Sequence, residues 1–274
     1  ASHFSRWEDK FKRVSAAELP AAVAAWLLPG PFFHDPEWTF ASRSAPLSAG
    51  VRTTRSGHPN RRSHEPARLE DIIGDYRSFV EQVDAELRAR GVDVAARGFE
   101  MDHVCYRCAS VAEYLQVLDA LVPALGSTLV EGMIGGRPIA TVRLHEPIVH
   151  AGHTVTCVEV PCPKPGRAYE SGLEHAEIVV GEPADGVEGN ARLLAFMADC
   201  AADSGVSLAF STEALHKSCN ADVSHSFGLA GGRTGTIKFH ARPLHEVVEW
   251  EKQHGAVEPV PDGYFESATT GRVA

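Results

Sequence analysis

Apolar residues recur at three- and four-residue spacing in the segment that follows residue 68, which is typical of an amphipathic helix. The pattern predicts one helix that ends at Gly91, with an apolar face formed by Leu69, Ile72, Ile73, Tyr76, Phe79, Val80, Val83 and Leu87. Beyond Gly91, apolar and polar residues alternate over short segments, which predicts strands. The predicted order is strand, helix, strand, strand, strand, at residues 101–108, 111–125, 127–133, 137–145 and 154–161.

The same order of elements then returns. Further strands are predicted at residues 173–180, 206–211, 222–227 and 236–241, with helices at about 188–203 and 244–252. The triplet Met-Asp-His at 101–103 opens the first copy, and Leu-Glu-His at 173–175 opens the second, about 70 residues later. Repeated supersecondary units bury their apolar faces by packing together. The predicted fold class is α+β, with two paired βαβββ modules forming a cupped mixed sheet and helices on its outer face.

Alternate residues of a strand line the same face of a sheet, so the predicted strands define two faces. One is apolar: Val104, Tyr106, Cys108, Val158, Val160, Ala176, Ile178, Val180, Ile237, Phe239 and Ala241. The other is rich in ionisable groups: His103, Cys105, Arg107, Thr141, Arg143, His145, Cys157, Glu159, His175, Glu177, Val179, Thr236, Lys238 and His240. An ordinary solvent-exposed sheet face also carries charges. Histidine, cysteine, arginine and glutamate are, however, the residue types that bind metals and orient anions, which favours a chemical pocket.

Residues 1–66 are predicted to be an extension of the domain at 67–262, and residues 263–274 a tail. Ser15 to Glu18 has the pattern of a capping box ahead of an alanine-rich run to Leu28, which predicts one short helix. The stretch 41–64 contains no acidic residue but carries Arg43, Arg52, Arg55, Arg61 and Arg62. This arginine-containing arm is either flexible and solvated, or it docks on an acidic protein partner.

Composition excludes several classes of protein. With 44% hydrophobic and 23% charged residues in 274, the chain is neither disordered nor fibrous. A net charge of −10 argues against a general nucleic-acid surface, and we expect no nucleic-acid partner and no membrane segment. The 6 cysteines are too sparse for a disulfide scaffold. We therefore expect a reducing compartment, either the cytoplasm or an organelle matrix reached after removal of a targeting peptide.

Two further motifs have the pattern of a functional site, but their context argues against one. Cys105 and Cys108 have the spacing of a zinc or redox pair, but strand alternation sends their thiols to opposite faces. The glycine-rich segment from Gly228 to Gly235 has no lysine after its glycines and precedes a strand, so it predicts a hairpin loop rather than a phosphate-binding loop.

A set of motifs in fixed order resembles one known family. These are Asp102-His-Val-Cys-Tyr-Arg107, Met133-Ile-Gly-Gly-Arg-Pro-Ile139, Leu144-His-Glu-Pro147, Val158-Glu-Val-Pro161, Gly172-Leu-Glu-His-Ala-Glu-Ile-Val179 and Thr236-Ile-Lys-Phe-His240. They are similar to the YecM-like proteins of the vicinal oxygen chelate superfamily, which includes glyoxalases and extradiol dioxygenases. The resemblance implies metal ligands on the first and last strands of each module, here His103, His175 and Glu159. At the fourth position Lys238 replaces the carboxylate of glyoxalase-like members.

These residues predict a divalent metal site. Two imidazoles and one carboxylate leave coordination positions open and suit Zn, Fe, Mn or Ni. Glu177 is a candidate base or partner of a ligand, and Arg107 and Arg143 are candidates to hold a small anionic ligand. Other candidates for a fourth ligand are His145, His216 and His240.

Alternative roles remain open for the same side chains. The histidines could be core residues, Glu159 could pair with an arginine, and Lys238 could neutralise a metal-free carboxylate cluster. The first functional hypothesis is a metal-dependent isomerase, lyase or dioxygenase that acts on a small oxygen-rich or anionic metabolite. The second is a non-catalytic ligand-binding or assembly subunit that docks through residues 1–66.

Overall fold

The computed structural model describes residues 14–15, 67–181, 186–215, 217 and 220–266. In chain order, its helices and strands are β1 (Val14–Ser15), α1 (Leu69–Ile73), α2 (Tyr76–Ala89), β2 (Glu100–Arg107), α3 (Val111–Leu121), β3 (Gly126–Ile134), β4 (Arg137–His150), β5 (His153–Pro161), β6 (Gly172–Val179), α4 (Gly186–Ala202), β7 (Ala209–Phe210), β8 (Asp222–Gly228), β9 (Thr234–His240) and α5 (Leu244–Gln253). Within the described part of the chain, no helix has both the length and the hydropathy that crossing a membrane requires.

Seven strands form one open mixed sheet in the order β3-β4-β5-β2-β6-β9-β8. In each module the first and last strands lie side by side and run parallel, β2 with β5 and β6 with β9. The modules join through the antiparallel pair β2–β6. The predicted α+β fold of two paired modules is confirmed, and it brings the first strands of both modules together at the middle of the sheet.

Helices α2, α3 and α4 cover one face of this sheet, here called the core face. Its fully buried strand residues include Val104, Val158, Ala176, Ile237 and Phe239. These residues form one hydrophobic cluster with apolar side chains of α2, α3 and α4. The ring of Phe239 packs against Phe196 of α4 and Phe210 of β7, with ring centroids 4.9 and 5.9 Å away. Because the core face is filled in this way, the alternate strand residues are left on the opposite face, here called the site face.

The segment predicted as one helix forms two. Gly74 has φ of +78°, outside the helical region, and ends α1. Asp75 then caps α2, its carboxylate accepting the backbone N–H of Ser78 at 3.0 Å. The prediction of a single helix was wrong because Ile73 and Tyr76, on either side of the break, bury their side chains in the same core and so preserve the apolar spacing.

The second module differs from the first at its second strand. Residues 206–211 were predicted as a strand, but β7 has only two residues and lies outside the seven-stranded sheet. An isolated β-bridge between Ser211 and Ser224 joins the end of this segment to β8. β7 pairs instead with β1, where Val14 lies opposite Phe210. The amino-terminal extension therefore contacts the domain at β7.

Part of what the sequence predicts lies outside the described residues. This holds for the helix after Ser15, the arginine-containing arm at 41–64, most of the tail at 263–274, and His216. The domain limits at 67 and 262, and a partner for residues 1–66, stay predictions.

Candidate metal centre

Strand register places the ionisable side chains of the site face in two neighbouring rows. The first row crosses β2, β6 and β9 and consists of His103, Glu177 and Lys238. The second crosses β5, β2 and β6 and consists of Glu159, Cys105 and His175. Neighbouring strands lie about 4.8 Å apart, and residues two apart on a strand share a face. The two rows therefore bring these side chains within reach of one another.

Four of these residues form a compact group of possible ligands, here called the cluster: His103, Glu159, His175 and Glu177. Each contributes one nitrogen or oxygen, and these atoms all lie within 4.8 Å of one another. Nε2 of His175 lies 3.2 Å from Oε2 of Glu159 and 3.4 Å from Oε1 of Glu177. Nε2 of His103 also lies 3.4 Å from Oε1 of Glu177. The three residues predicted as metal ligands are thus brought together, with Glu177 as a fourth.

A carboxylate lies behind the ring of His103. Nδ1 of His103 is 3.1 Å from Oδ2 of Asp102, which also accepts the backbone N–H of Leu244 at 2.7 Å. When the ring is neutral, a carboxylate on Nδ1 favours the tautomer whose Nε2 carries a lone pair for a metal ion. Nε2 of His103 is buried and, among the described residues, has no hydrogen-bond partner. This is how a metal-binding histidine is commonly held.

Asp102 is a residue beside the cluster that strand alternation missed. Alternation places it on the core face, opposite to His103. The register of β2 against β6 shifts between Met101 and His103, so Asp102 has no partner in that ladder and the alternation is interrupted. Its carboxylate reaches His103 for this reason. The only signal in the sequence is an aspartate immediately before the predicted ligand.

His240 lies on the other side of the same carboxylate. It is fully buried, and its Nε2 is 3.7 Å from Oδ2 of Asp102 and 3.8 Å from Oε2 of Glu177. Its Nδ1 is 3.0 Å from Oδ1 of Asn220. Burial lowers the pKa of His240, which favours the neutral ring. His240 lies outside the cluster but forms a second possible ligand group with Asp102 and His103.

Lys238 extends into the cluster. Its ammonium group donates a hydrogen bond to Oε1 of Glu177 and lies 3.2 Å from Nε2 of His175. Burial lowers the pKa of Lys238, but the carboxylates of Glu177 and Glu159 outweigh burial and raise it above its usual value. The lysine is therefore charged, and it partly neutralises the two carboxylates.

The charges of the cluster depend on one another. Burial alone raises the pKa of Glu159, but hydrogen bonding and attraction to His175 bring it down to about 2. In Glu177 the effect of burial is outweighed by Lys238 and His103, which hold its pKa well below the usual range. The pKa of His103 rises to about 9, because Glu177 and Asp102 outweigh the lowering effect of burial. Without a metal ion, protons on the imidazoles balance the carboxylates.

The predicted anion-binding arginines lie in different surroundings. The guanidinium of Arg107 is bound to both carboxylate oxygens of Glu174 and lies over the ring of Tyr169, 4.9 Å from its centroid. It lines an open cleft of about 250 Å³ together with Arg233. Arg143 is exposed on β4, and no ion pair joins it to another described residue. Arg107 is thus occupied by its own chain, whereas Arg143 is available to a ligand.

His145, predicted as an alternative fourth ligand, is exposed and outside the cluster. The register of β4 against β5 is irregular between Arg143 and Ile148, which interrupts the alternation used to place it. Cys105 and Cys108 diverge as predicted, since Cys108 belongs to the hydrophobic core and Cys105 lies in the second row beside His175. Burial raises the pKa of the Cys105 thiol, which favours its protonated form.

The residues present fit a divalent ion. Two imidazole nitrogens and two carboxylates are the donors that Zn, Fe, Mn and Ni accept in proteins. The carboxylate behind the ring of His103 is a further feature of such a site. Lys238 is the feature that opposes a cation, because its ammonium lies against two of the four ligands.

Two solved structures are similar to parts of this chain. A structural-genomics structure, Protein EC4020, is 32% identical with a TM-score of 0.49 and covers 67% of this chain and 92% of that one. A structure of methylmalonyl-CoA epimerase in complex with methylmalonyl-CoA and NH4+ is 9% identical with a TM-score of 0.32, over 53% of this chain and 96% of that one.

Two other proteins are similar to this chain in sequence. Protein YecM of Escherichia coli (strain K12) is 32% identical over 190 residues, which is 67% of this chain and 94% of that protein. An uncharacterized protein of Haemophilus influenzae is 29% identical over 92 residues, 34% of this chain and 48% of that protein. The family described as YecM protein matches residues 68–251, from α1 to α5. The chain therefore belongs to the YecM family, as its motifs predict.

Proposed function

We propose that this protein is a metal-dependent enzyme that acts on a small oxygen-rich or anionic metabolite. A divalent ion of Zn, Fe, Mn or Ni would be held by His103, His175 and Glu159, with Glu177 as a further ligand. The reaction would be of the isomerase, lyase or dioxygenase type.

The observation that carries this proposal is the convergence of the cluster. Its four donor atoms come from β2, β5 and β6 and lie within 4.8 Å of one another, and Nε2 of His103 and Nε2 of His175 each lie 3.4 Å from Oε1 of Glu177. Burying two carboxylates beside two imidazoles costs free energy unless they are paired or bind a cation. A divalent ion at the cluster would satisfy both carboxylates and both imidazole nitrogens at once.

Each side chain around the cluster has a definable task. A bound divalent ion would polarise an oxygen of the ligand and lower the pKa of bound water. Asp102 fixes the ring of His103 through Nδ1. Glu177, whose pKa is held well below its usual range, is a weak base in its present surroundings and a good ligand. Arg143, exposed on the same face, would attract an anionic group of the substrate.

A second candidate function is a non-catalytic ligand-binding or assembly subunit. The contacts of Lys238 with Glu177 and His175 favour it, because an ammonium ion that satisfies the carboxylates lessens the need for a metal. In that case the protein binds no divalent ion at the cluster, and its ligand contacts the side chains directly.

Water proton relaxation of Mn²⁺-loaded protein tests the first function. If Mn²⁺ at the cluster keeps an open position, the bound ion enhances water relaxation, and oxalate, a small oxygen-rich anion, reduces the enhancement by displacing water. His103→Ala and His175→Ala should abolish the enhancement, whereas His145→Ala, at an exposed histidine of the same predicted face, should leave it unchanged. Equal enhancement in all four proteins would refute the proposal.

A further inference from the structure

The position of Lys238 has a consequence for the cluster. Its side chain comes from β9, the last strand of the second module, and lies in one row with Glu177 and His103. The side chain of Lys238 is 27% exposed, whereas those of His103, His175 and Glu177 are at most 6% exposed. The lysine therefore approaches a buried group of ligands from its more open side.

Two of the contacts that Lys238 makes are with atoms needed by a metal. Its ammonium group donates to Oε1 of Glu177, the oxygen that lies 3.4 Å from the Nε2 atoms of both histidines. It also lies 3.2 Å from Nε2 of His175. Oε1 of Glu177 cannot bind the ammonium group and a divalent ion in the same position. An ammonium group held beside the ion would also repel it, because both are positively charged.

From this geometry we infer that Lys238 competes with the divalent ion for Glu177 and His175, and so sets the metal affinity of the cluster. The inference rests on the proposed function for the identity of the site, but it concerns a different residue. Metal binding requires the ammonium to leave Glu177, and the side chain has a route to do so because it is partly exposed. The cluster therefore binds a divalent ion more weakly than its four ligands alone would.

Removing the charge of Lys238 should tighten metal binding. We expect Lys238→Met and Lys238→Gln to bind Zn²⁺ and Mn²⁺ at least about tenfold more tightly than the unmodified chain. Lys238→Glu supplies a third carboxylate and should tighten binding further. Lys217→Met is the matched control, because Lys217 also pairs with a carboxylate, that of Asp222 at 2.8 Å, but lies outside the cluster.

The experiment is a calorimetric titration of the full, chelator-stripped chain with Zn²⁺ and with Mn²⁺. Circular dichroism establishes that each variant is folded. Combining His103→Ala with Lys238→Met should remove the gain in metal affinity. Equal or weaker binding by Lys238→Met and Lys238→Gln overturns the inference, while binding by the unmodified chain still supports the proposed function. Binding by these variants but not by the unmodified chain supports the inference and refutes the proposed function. Absence of binding in every protein refutes both.

Discussion

The raised pKa of His103 links the stability of the metal-free protein to pH. This pKa increases from 6.5 to about 9 on folding, because Glu177 and Asp102 outweigh burial. The folded state therefore holds the proton more tightly than the unfolded chain does. This contribution to stability is fully present below pH 6.5 and is lost as pH rises through 9. The increase corresponds to about 3 kcal/mol of unfolding free energy.

Urea unfolding of metal-free protein between pH 6 and pH 10 measures this contribution. We expect the unfolding free energy of the unmodified chain to fall by up to about 3 kcal/mol more than that of His103→Gln over this range. His145→Gln, at an exposed histidine, should follow the unmodified chain. Saturating Zn²⁺ should flatten the pH dependence, because the ion replaces the proton. Identical pH profiles for His103→Gln and the unmodified chain would refute the reasoning.

Three further predictions concern the surroundings of the cluster. Asp102→Asn should weaken Zn²⁺ binding about 10- to 100-fold in a chelator competition, because the carboxylate orients His103; unchanged affinity would contradict this. Arg107→Met should lower the unfolding free energy by about 2 kcal/mol, since it removes the guanidinium that binds both carboxylate oxygens of Glu174. Arg143→Met should change the unfolding free energy by less than about 0.5 kcal/mol, and equal effects of the two substitutions would count against the assigned contacts. Phe239→Ala should cost about 3–5 kcal/mol in urea unfolding, and a loss below about 1 kcal/mol would contradict its packing between Phe196 and Phe210.

Much of the candidate site follows from the sequence because strand alternation is a local property. Once β2, β5 and β6 are assigned, the two-residue period puts His103, Glu159 and His175 each on the face opposite to the apolar residues of its own strand. Two strand pairings then bring the three residues together: β2 with β5 inside the first module, and β2 with β6 between the modules.

The remaining features of the fold and the site depend on contacts that the two-residue period of a strand does not encode. Asp102 reaches His103 because the ladder is irregular at that point, and a single register shift leaves no clear mark in the sequence. The break at Gly74 was hidden because Ile73 and Tyr76 share one core. The contact of Lys238 with Glu177 depends on the register of β9 against β6, which is a long-range property of the sheet.

The metal content of the purified protein tests the central claim most directly. The full chain, expressed in medium supplemented with Zn, Fe, Mn and Ni and purified without chelators or a histidine tag, is analysed by inductively coupled plasma mass spectrometry. The account predicts about one divalent ion per chain, and its loss in the double variant His103→Ala/His175→Ala. A folded, metal-free unmodified chain, or an equal metal content in the double variant, would contradict it.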